Sequence, residues 1–352
     1  MRTFRLSVGL AAAALLAVTA GYLVVRDTSR VSLLAPLPNS DFSLRCAVNV
    51  ETVFGFPREQ WTDIALITDF SVPAGLDAAK TYQAGITTFV SAGAGLVGTY
   101  ISSQDVKDSS EWKHYPAETL EAKLFIAWLR PDPVDEWGAY HVALRIVEAR
   151  QALAKYLVQA GKDRRRPILY LDNMRHPYML PEWGFTWGQV CGLLHDVNVG
   201  LDRKSHVIAN VAGHVGLMSN EDLDMLAKSC DGASFEMAWD SYLAADRDRS
   251  DRAFEAYRRL LGRDFCVIFI PVGGELEREA QFLAGLAMIL RQPGDRIFVA
   301  WPLWKPIPEW EAWSRTLKEP RGIVISEYPR MLRQHGEGDV VVDLQARTAR
   351  VE

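Results

Sequence analysis

The sequence lacks the signatures of several common kinds of site. Its four cysteines form no C-x-x-C pair and no spacing with histidines that is typical of zinc sites: Cys46, Cys191, Cys230 and Cys266. We therefore predict no metal site and no cofactor. There is no G-x-S-x-G motif, so nothing indicates a serine hydrolase. The net charge of -5 gives no excess of positive charge, and we expect no nucleic acid as a partner.

Tryptophan, by contrast, is abundant. The chain has 11 tryptophans, and many lie near predicted loops rather than inside periodic segments. Two interpretations stay open at this point. The indole rings are either core residues or flat faces on which sugar rings stack.

The N-terminus combines basic residues with a long uncharged stretch. After MRTFR, no charged residue occurs from Leu6 to Val25, and Arg26 follows. Val18–Ala20 is a small-residue cleavage site of the kind found in signal peptides, while the stretch is also long enough for an uncleaved membrane anchor. Both alternatives predict export to the periplasm or the extracellular space. Residues 1–26 are the predicted signal peptide or anchor, and 27–41 the linker.

Eight apolar runs alternate with helical patterns along the rest of the chain. The runs begin at Ile64, Thr87, Lys123, Pro167, Ser205, Gly232, Phe265 and Arg296. Nearly continuous apolar runs are typical of parallel strands that are buried on both faces. The sequence therefore predicts an α/β fold, a (β/α)₈ TIM barrel over 42–335, followed by a small C-terminal β-hairpin over 336–352. A doubly wound sheet is the alternative, with SAGAGLVG at 91–98 as the candidate phosphate loop, and we favour the barrel.

Polar residues end several of these runs. In a TIM barrel the active site lies at the carboxyl ends of the strands. Asp172 ends the predicted fourth strand and Glu236 the sixth, so both should project into one cup. The residues expected to shape sugar subsites around them are Asp69, Trp128, Arg130, Asn173, Asn210, Trp239 and Trp301.

Two facing carboxyl groups suit glycoside hydrolysis, in which one donates a proton and the other attacks the anomeric carbon or activates water. The apolar setting of Glu236 favours the acid role, and Asn173 can donate a hydrogen bond that keeps Asp172 ionised. The plain alternative is that both carboxylates are structural. Metal-assisted hydrolysis is a further alternative, for which the candidate ligands are Asp69, Asp172, His176 and His214.

Several motifs, in a fixed order, resemble a known family. AWLRPDPVDEWGAY, LYLDNM, HVIANVAGH, DGASFEMAW and CVIFIPVGG are similar to motifs of the TIM-barrel glycoside hydrolases related to endo-α-1,4-polygalactosaminidase. The resemblance implies Asp172 and Glu236 as the catalytic pair. A further likeness to α-galactosidase barrels, whose fourth-strand Asp is the nucleophile, implies Asp172 in that role and a retaining mechanism. The basic KDRRRP before LYLDNM departs from the family pattern.

The sequence thus predicts an exported glycoside hydrolase that acts on a bacterial-type polysaccharide, with a polysaccharide or oligosaccharide as its partner and a membrane tether if the leader is retained. The alternative from another class is a non-catalytic glycan-binding accessory protein of a polysaccharide export or adhesion system. It would have the same tryptophan-lined cup but no turnover that depends on Asp172.

Overall fold

Parallel strands and helices alternate through the central part of the chain in the structure, a computed structural model. The described residues are 45–50, 64–68, 96–102, 105–106, 140–141, 144–164, 168–172, 174, 176, 185–202, 205–211, 215–236, 238–239, 243, 246–271, 275–292, 295–300, 320–336 and 338–352. The predicted leader, linker and tether fall outside these residues. Among the described helices, none is long and apolar enough to span a bilayer.

The strands and helices follow one another in a regular order. The strands before the first described helix are β1 (Arg45–Val50), β2 (Ile64–Thr68), β3 (Leu96–Ser102), β4 (Asp105–Val106) and β5 (Tyr140–His141). There follow α1 (Val147–Arg164), β6 (Ile168–Asp172), α2 (Trp187–Gly200), β7 (His206–Asn210), α3 (Asn220–Ser229), β8 (Gly232–Phe235), α4 (Arg247–Leu261), β9 (Cys266–Phe269), α5 (Leu276–Leu290) and β10 (Ile297–Ala300). The chain ends with β11 (Pro320–Glu327), β12 (Arg330–His335), β13 (Asp339–Asp343) and β14 (Thr348–Val351).

Eight strands pair in parallel in the order β1-β10-β9-β8-β7-β6-β3-β2, and β1 also pairs with β2, so that the sheet closes into a barrel. The predicted α/β class with a parallel sheet is confirmed. From β6 onward each barrel strand is followed by a described helix up to β10. Between β3 and β6 the described helix is α1. Residues 51–63 and 69–95, which follow β1 and β2, lie outside the described residues.

Two of the first three barrel strands differ from the prediction, whereas β2 begins at the predicted Ile64. β1 was not predicted, because Arg45 and Asn49 interrupt its apolar pattern. β3 begins at Leu96, directly after the run predicted from Thr87, and that run lies outside the described residues. β3 pairs directly with β6, and the predicted strand from Lys123 lies outside the described residues. β6 and β8 are nevertheless the fourth and sixth barrel strands, so the predicted ranks of Asp172 and Glu236 are right.

The glycine-rich stretch also has an explanation in the fold. Gly93, Gly95 and Gly98 do have the spacing G-x-G-x-x-G. In the dinucleotide fingerprint the last glycine lies where a helix begins, whereas Gly98 lies inside β3 and pairs with Leu66 of β2. Leu96–Gly98 of this stretch therefore belong to a barrel strand, a position that does not fit the last glycine of the dinucleotide fingerprint.

The predicted C-terminal hairpin is one half of a larger sheet. β13 and β14 pair antiparallel within 336–352 as expected, but β12 and β11 extend the sheet to four strands. The antiparallel sheet thus begins at Pro320, earlier than the predicted boundary. Its inner face packs on α5, where Gly285 lies against Ala349 and Val342. Since the barrel covers α5 on its other side, residues 282–290 of the helix are all buried, whereas its first turn is charged.

Three of the four cysteines lie in the described core. Cys191, Cys230 and Cys266 are buried and free. Burial raises the pKa of the Cys266 thiol to about 12, so it remains protonated and packs as a small apolar residue. This agrees with the apolar run in which it lies.

Candidate active site

The carboxyl ends of three neighbouring barrel strands carry the polar residues of the candidate site. β6 ends at Asp172, β7 ends at Asn210, and Glu236 follows the last residue of β8. β7 pairs with β6 on one side and with β8 on the other. Each residue is the first strongly polar side chain at the end of an apolar, buried run.

A hydrogen bond below these residues identifies the inner face of the strands. The Tyr170 hydroxyl lies 2.6 Å from Ser234 Oγ, and both residues are buried. Because β7 separates β6 from β8 in the sheet, this bond crosses the barrel interior. Side chains at positions i and i+2 of a strand share a face. Asp172 and Glu236, two residues beyond Tyr170 and Ser234, therefore face the same interior one layer nearer the mouth.

The Asn210 amide joins the two carboxylates. Its Nδ2 donates one hydrogen bond to Asp172 Oδ1 and a second to Glu236 Oε1, each 2.7 Å long. Since both bonds begin at one nitrogen, the two oxygens are at most about 5.4 Å apart. Asn210 is 2% exposed, whereas both carboxylate residues are partly exposed. The pair thus lies at the surface of the cup with the amide beneath it.

Backbone contacts hold the ends of these strands. The Met174 N–H donates to the Asn210 carbonyl at 2.9 Å, and the Val211 N–H donates to the Ser234 carbonyl at 3.0 Å. Met174 is fully buried. The chain that leaves Asp172 is therefore tied to β7, and the chain that leaves Asn210 is tied to β8.

The opposite face of β8 is anchored to a helix. The Phe235 ring lies edge-on to Tyr257 of α4, with ring centroids 5.4 Å apart. The Tyr257 hydroxyl donates to the Ala238 carbonyl at 3.0 Å. These contacts fix both the residue before Glu236 and the loop after it, which limits the positions open to the Glu236 side chain.

The other predicted subsite residues have different outcomes. Trp239 is 1% exposed, and its Nε1–H has no hydrogen-bond partner among the described residues. Its ring packs in the hydrophobic core, so neither face is open to a sugar in this arrangement. Asn210 is buried and bound to the carboxylates rather than directed at a ligand. The following predicted residues lie outside the described ones: Asp69, Trp128, Arg130, Asn173 and Trp301.

His176 is packed between two neighbours. Its ring centroid lies 4.7 Å from that of Trp187, and its Nε2 lies 3.6 Å from Asp222 Oδ2. Burial lowers the pKa of His176, and the nearby Asp222 carboxylate opposes this effect. Within the described part of the chain, no group of three or more His, Cys, Asp or Glu residues is placed to hold a metal ion. The two other candidate metal ligands, Asp69 and His214, lie outside it.

Sequence reasoning missed the link between the two carboxylates. The signal was present, since Asn210 ends the apolar run HVIAN on the strand between those of Asp172 and Glu236. What the pattern does not contain is the distance between side chains from three strands. That distance follows from the pairing registers of β6, β7 and β8.

Comparison with solved structures places this geometry on a known fold. The α-galactosidase TtGalA from Thermus thermophilus, in complex with p-nitrophenyl α-D-galactopyranoside, matches with 15% identity and a TM-score of 0.50, over 87% of this chain and 67% of that chain. The chain shares its fold with TIM-barrel glycoside hydrolases. The resemblance inferred from the sequence motifs is confirmed at the level of the fold.

Two other solved structures match with lower TM-scores. The glycoside hydrolase domain of PelA from Pseudomonas aeruginosa is 15% identical, with a TM-score of 0.49 over 75% of this chain and 97% of that chain. Ega3 from Aspergillus fumigatus, solved in complex with galactosamine, is 14% identical, with a TM-score of 0.38 over 65% and 75%. No family model and no curated protein matches the sequence.

Proposed function

We propose that the chain is a retaining glycoside hydrolase that cleaves a polysaccharide, with Asp172 as the nucleophile and Glu236 as the general acid and base. The observation that carries the proposal is the pair of 2.7 Å hydrogen bonds from Asn210 to both carboxylates. These bonds support a site with two carboxyl groups at one mouth of the barrel. This mouth is at the carboxyl ends of the strands, where TIM-barrel enzymes have their active sites.

The separation of the carboxylates supports retention. Retaining glycosidases have their carboxyl groups about 5–5.5 Å apart, and inverting ones about 6.5–9.5 Å, which leaves room for a water molecule. The limit of about 5.4 Å between Asp172 Oδ1 and Glu236 Oε1 agrees with the shorter range. In this mechanism Asp172 attacks the anomeric carbon while Glu236 protonates the leaving oxygen. Water, deprotonated by Glu236, then hydrolyses the glycosyl ester.

The substrate class follows from the motif resemblance and the fold match. The motifs resemble those of enzymes related to endo-α-1,4-polygalactosaminidase, and TtGalA was solved with an α-galactoside. We therefore propose α-linked polysaccharides that contain galactose or galactosamine as the first substrates to test. The segment Leu6–Val25 supports export to the periplasm or cell exterior, either free or tethered. Mass spectrometry of the mature N-terminus distinguishes cleavage after Ala20 from retention.

The test is release of reducing sugar from a panel of bacterial and fungal polysaccharides. We expect wild type to release sugar, and Asp172→Asn and Glu236→Gln to lose at least about a thousandfold in turnover while remaining folded. Glu221→Gln, on the exposed surface of α3, is the matched control and should keep full activity. Proton NMR identifies the anomer of the released sugar that forms first. Retention gives the same anomeric configuration as in the substrate.

Two outcomes would favour other functions. Tight polysaccharide binding without turnover, unaffected by Asp172→Asn, would support the glycan-binding accessory protein. Loss of activity with a chelator, and its return with added metal, would support a metal-dependent hydrolase. Equal activity of wild type and both carboxylate variants would contradict the proposed pair.

A further inference from the structure

The side chain of Asn210 has no hydrogen left for a substrate. A primary amide has two N–H donors, and each is used, one by Asp172 and one by Glu236. The remaining polar atom, Oδ1, is buried and has no partner among the described residues. At 2% exposure the residue is also out of reach of a sugar hydroxyl. Its contacts are with the two carboxylates and not with the cup.

The orientation of the amide follows from the chemistry of its partners. An ionised carboxylate only accepts hydrogen bonds, so the NH₂ end of the amide, which faces both Asp172 and Glu236, suits whichever of the two is ionised. A hydrogen bond to an ionised carboxylate is shorter and stronger than one to a neutral acid. The same amide therefore binds most strongly whichever carboxylate carries the charge.

The proposed reaction moves one negative charge between these two residues. In the first step an Asp172 oxygen bonds to the anomeric carbon, the glycosidic bond breaks with its electron pair on the leaving oxygen, and that oxygen takes the proton of Glu236. The charge has then left Asp172 and lies on Glu236. In the second step water bonds to the anomeric carbon, the ester bond to Asp172 breaks, and a water proton returns to Glu236.

From this geometry, and resting on the proposed function, we propose that Asn210 is a positioning residue that holds the two carboxylates at a fixed separation and stabilises the charge on each in turn. One amide hydrogen strengthens its bond as the other weakens, so the donor needs no movement during the transfer. The bond to Asp172 also orients that carboxylate towards the anomeric carbon.

The backbone of Asn210 does not depend on its side chain for its place. Its carbonyl accepts from the Met174 N–H, and its strand pairs with Ser234 of β8. Removal of the amide should therefore leave the barrel intact. Asn210→Ala removes both donors, and Asn210→Asp keeps the shape while it replaces the donors with a third carboxylate.

The first measurement compares kcat, KM and the pH–rate profile of wild type, Asn210→Ala and Asn210→Asp. We expect kcat to fall by roughly a hundredfold, as on loss of one preorganised donor, with KM little changed. The profile should move to higher pH, because the ionised carboxylates lose their donor. Asn198→Ala is the control, since Asn198 donates only to the Ser229 carbonyl on the helical layer. Unchanged kcat and an unchanged profile in both Asn210 variants would overturn the proposal.

The second measurement does not need a substrate. Carbon NMR follows the carboxyl groups through a pH titration, with signals assigned from Asp172→Asn and Glu236→Gln. In Asn210→Ala both titrations should move to higher pH, and in Asn198→Ala neither should. If wild type cleaves no polysaccharide, the proposed function fails, and the NMR result still decides whether Asn210 supports the carboxylate charge. Identical carboxyl titrations in wild type and Asn210→Ala would overturn the proposed role of Asn210.

Discussion

Single residues at the barrel mouth act through their neighbours as much as through their own chemistry. Asp172 and Glu236 come from strands that do not pair with each other, and Asn210 lies on the strand between them. Two carboxyl oxygens at most about 5.4 Å apart would repel each other if both groups were ionised. A buried donor shared by both offsets part of that repulsion. The barrel thus brings the carboxylates close, and the amide makes the close approach tolerable.

The burial of His176 predicts that the free energy of unfolding depends on pH. Burial lowers its pKa in the folded state below the ordinary value of 6.5, so the unfolded chain binds this proton more tightly. The stabilising contribution is fully present above that ordinary value and is lost as the pH falls from it towards the lower folded pKa. The free energy of unfolding, measured in urea at pH 7.5 and at about pH 5, should fall less between these pH values for His176→Gln than for wild type. For the control His195→Gln, at an exposed position, the free energy of unfolding should fall as much as it does for wild type.

The sequence was informative about single residues where a polar side chain interrupts an apolar pattern. Asp172 and Glu236 lie together with Asn210, because a strand end aims its last inward side chain at the mouth, but Asn210 was expected to contact a sugar and instead bonds to the carboxylates. Trp239 was interpreted as a sugar platform, but it is buried. An apolar ring near a loop gives no sign of whether the loop folds over it, since that depends on contacts such as those of Tyr257 with Ala238.

At the scale of elements, α5 packs closely against the C-terminal sheet at Gly285. A Cβ added at Gly285 would lie 2.3 Å from Ala349 Cβ and 3.1 Å from Val342 Cγ2. Gly285→Ala should therefore separate α5 from the C-terminal sheet and lower the free energy of unfolding by about 1–3 kcal/mol. Chemical denaturation measures the change.

Gly188 of α2 is the control for Gly285. The nearest atom that its added Cβ would meet, Thr186 Oγ1, is 3.9 Å away. Gly188→Ala should therefore be neutral or stabilising by about 0.5–1 kcal/mol, as alanine favours a helix over glycine. Equal effects at the two positions would show that helix propensity, and not the packing of α5, determines the result at Gly285.

Elements were predicted best where their runs are uniformly apolar. β6 to β10 were all expected within a few residues, because strands buried on both faces leave an unbroken apolar signal. β1 and β3 carry polar residues and a glycine within the strand, so the pattern there was weak. The C-terminal sheet was half predicted. The alternating DVVVD strand and the turn after it indicate β13 and β14, whereas β11 and β12 fall within 42–335, the range predicted for the barrel.

At the scale of the whole molecule, Arg333 joins the C-terminal sheet to the barrel layer. Its side chain is 1% exposed, and its Nη1 donates to the carbonyls of Ile289 and Arg291 at the end of α5. Burial, together with nearby Arg258, lowers the pKa of Arg333 to about 10, and Asp295 opposes this effect. The guanidinium still carries its charge at neutral pH and caps the negative end of the helix.

Arg333→Met should destabilise the whole described fold. The substitution leaves the buried carbonyls at the end of α5 without a donor, at a cost of about 1–3 kcal/mol each. Arg330→Met lies on the same strand, but Arg330 is exposed with a side-chain relative area of 69%, and the change should be close to neutral. Denaturant unfolding of both variants checks the difference. If Arg333→Met lowers the free energy of unfolding no more than Arg330→Met does, Arg333 does not hold the C-terminal sheet to α5.

The most direct test of the catalytic pair uses an activated aryl glycoside of the sugar that the polysaccharide panel identifies. Such a leaving group needs no proton, so Glu236→Gln should release a burst of about one phenol per enzyme molecule and then turn over slowly, because water still lacks its base. Asp172→Asn should release neither burst nor steady product, since no nucleophile remains. Wild-type turnover by Asp172→Asn would contradict the account.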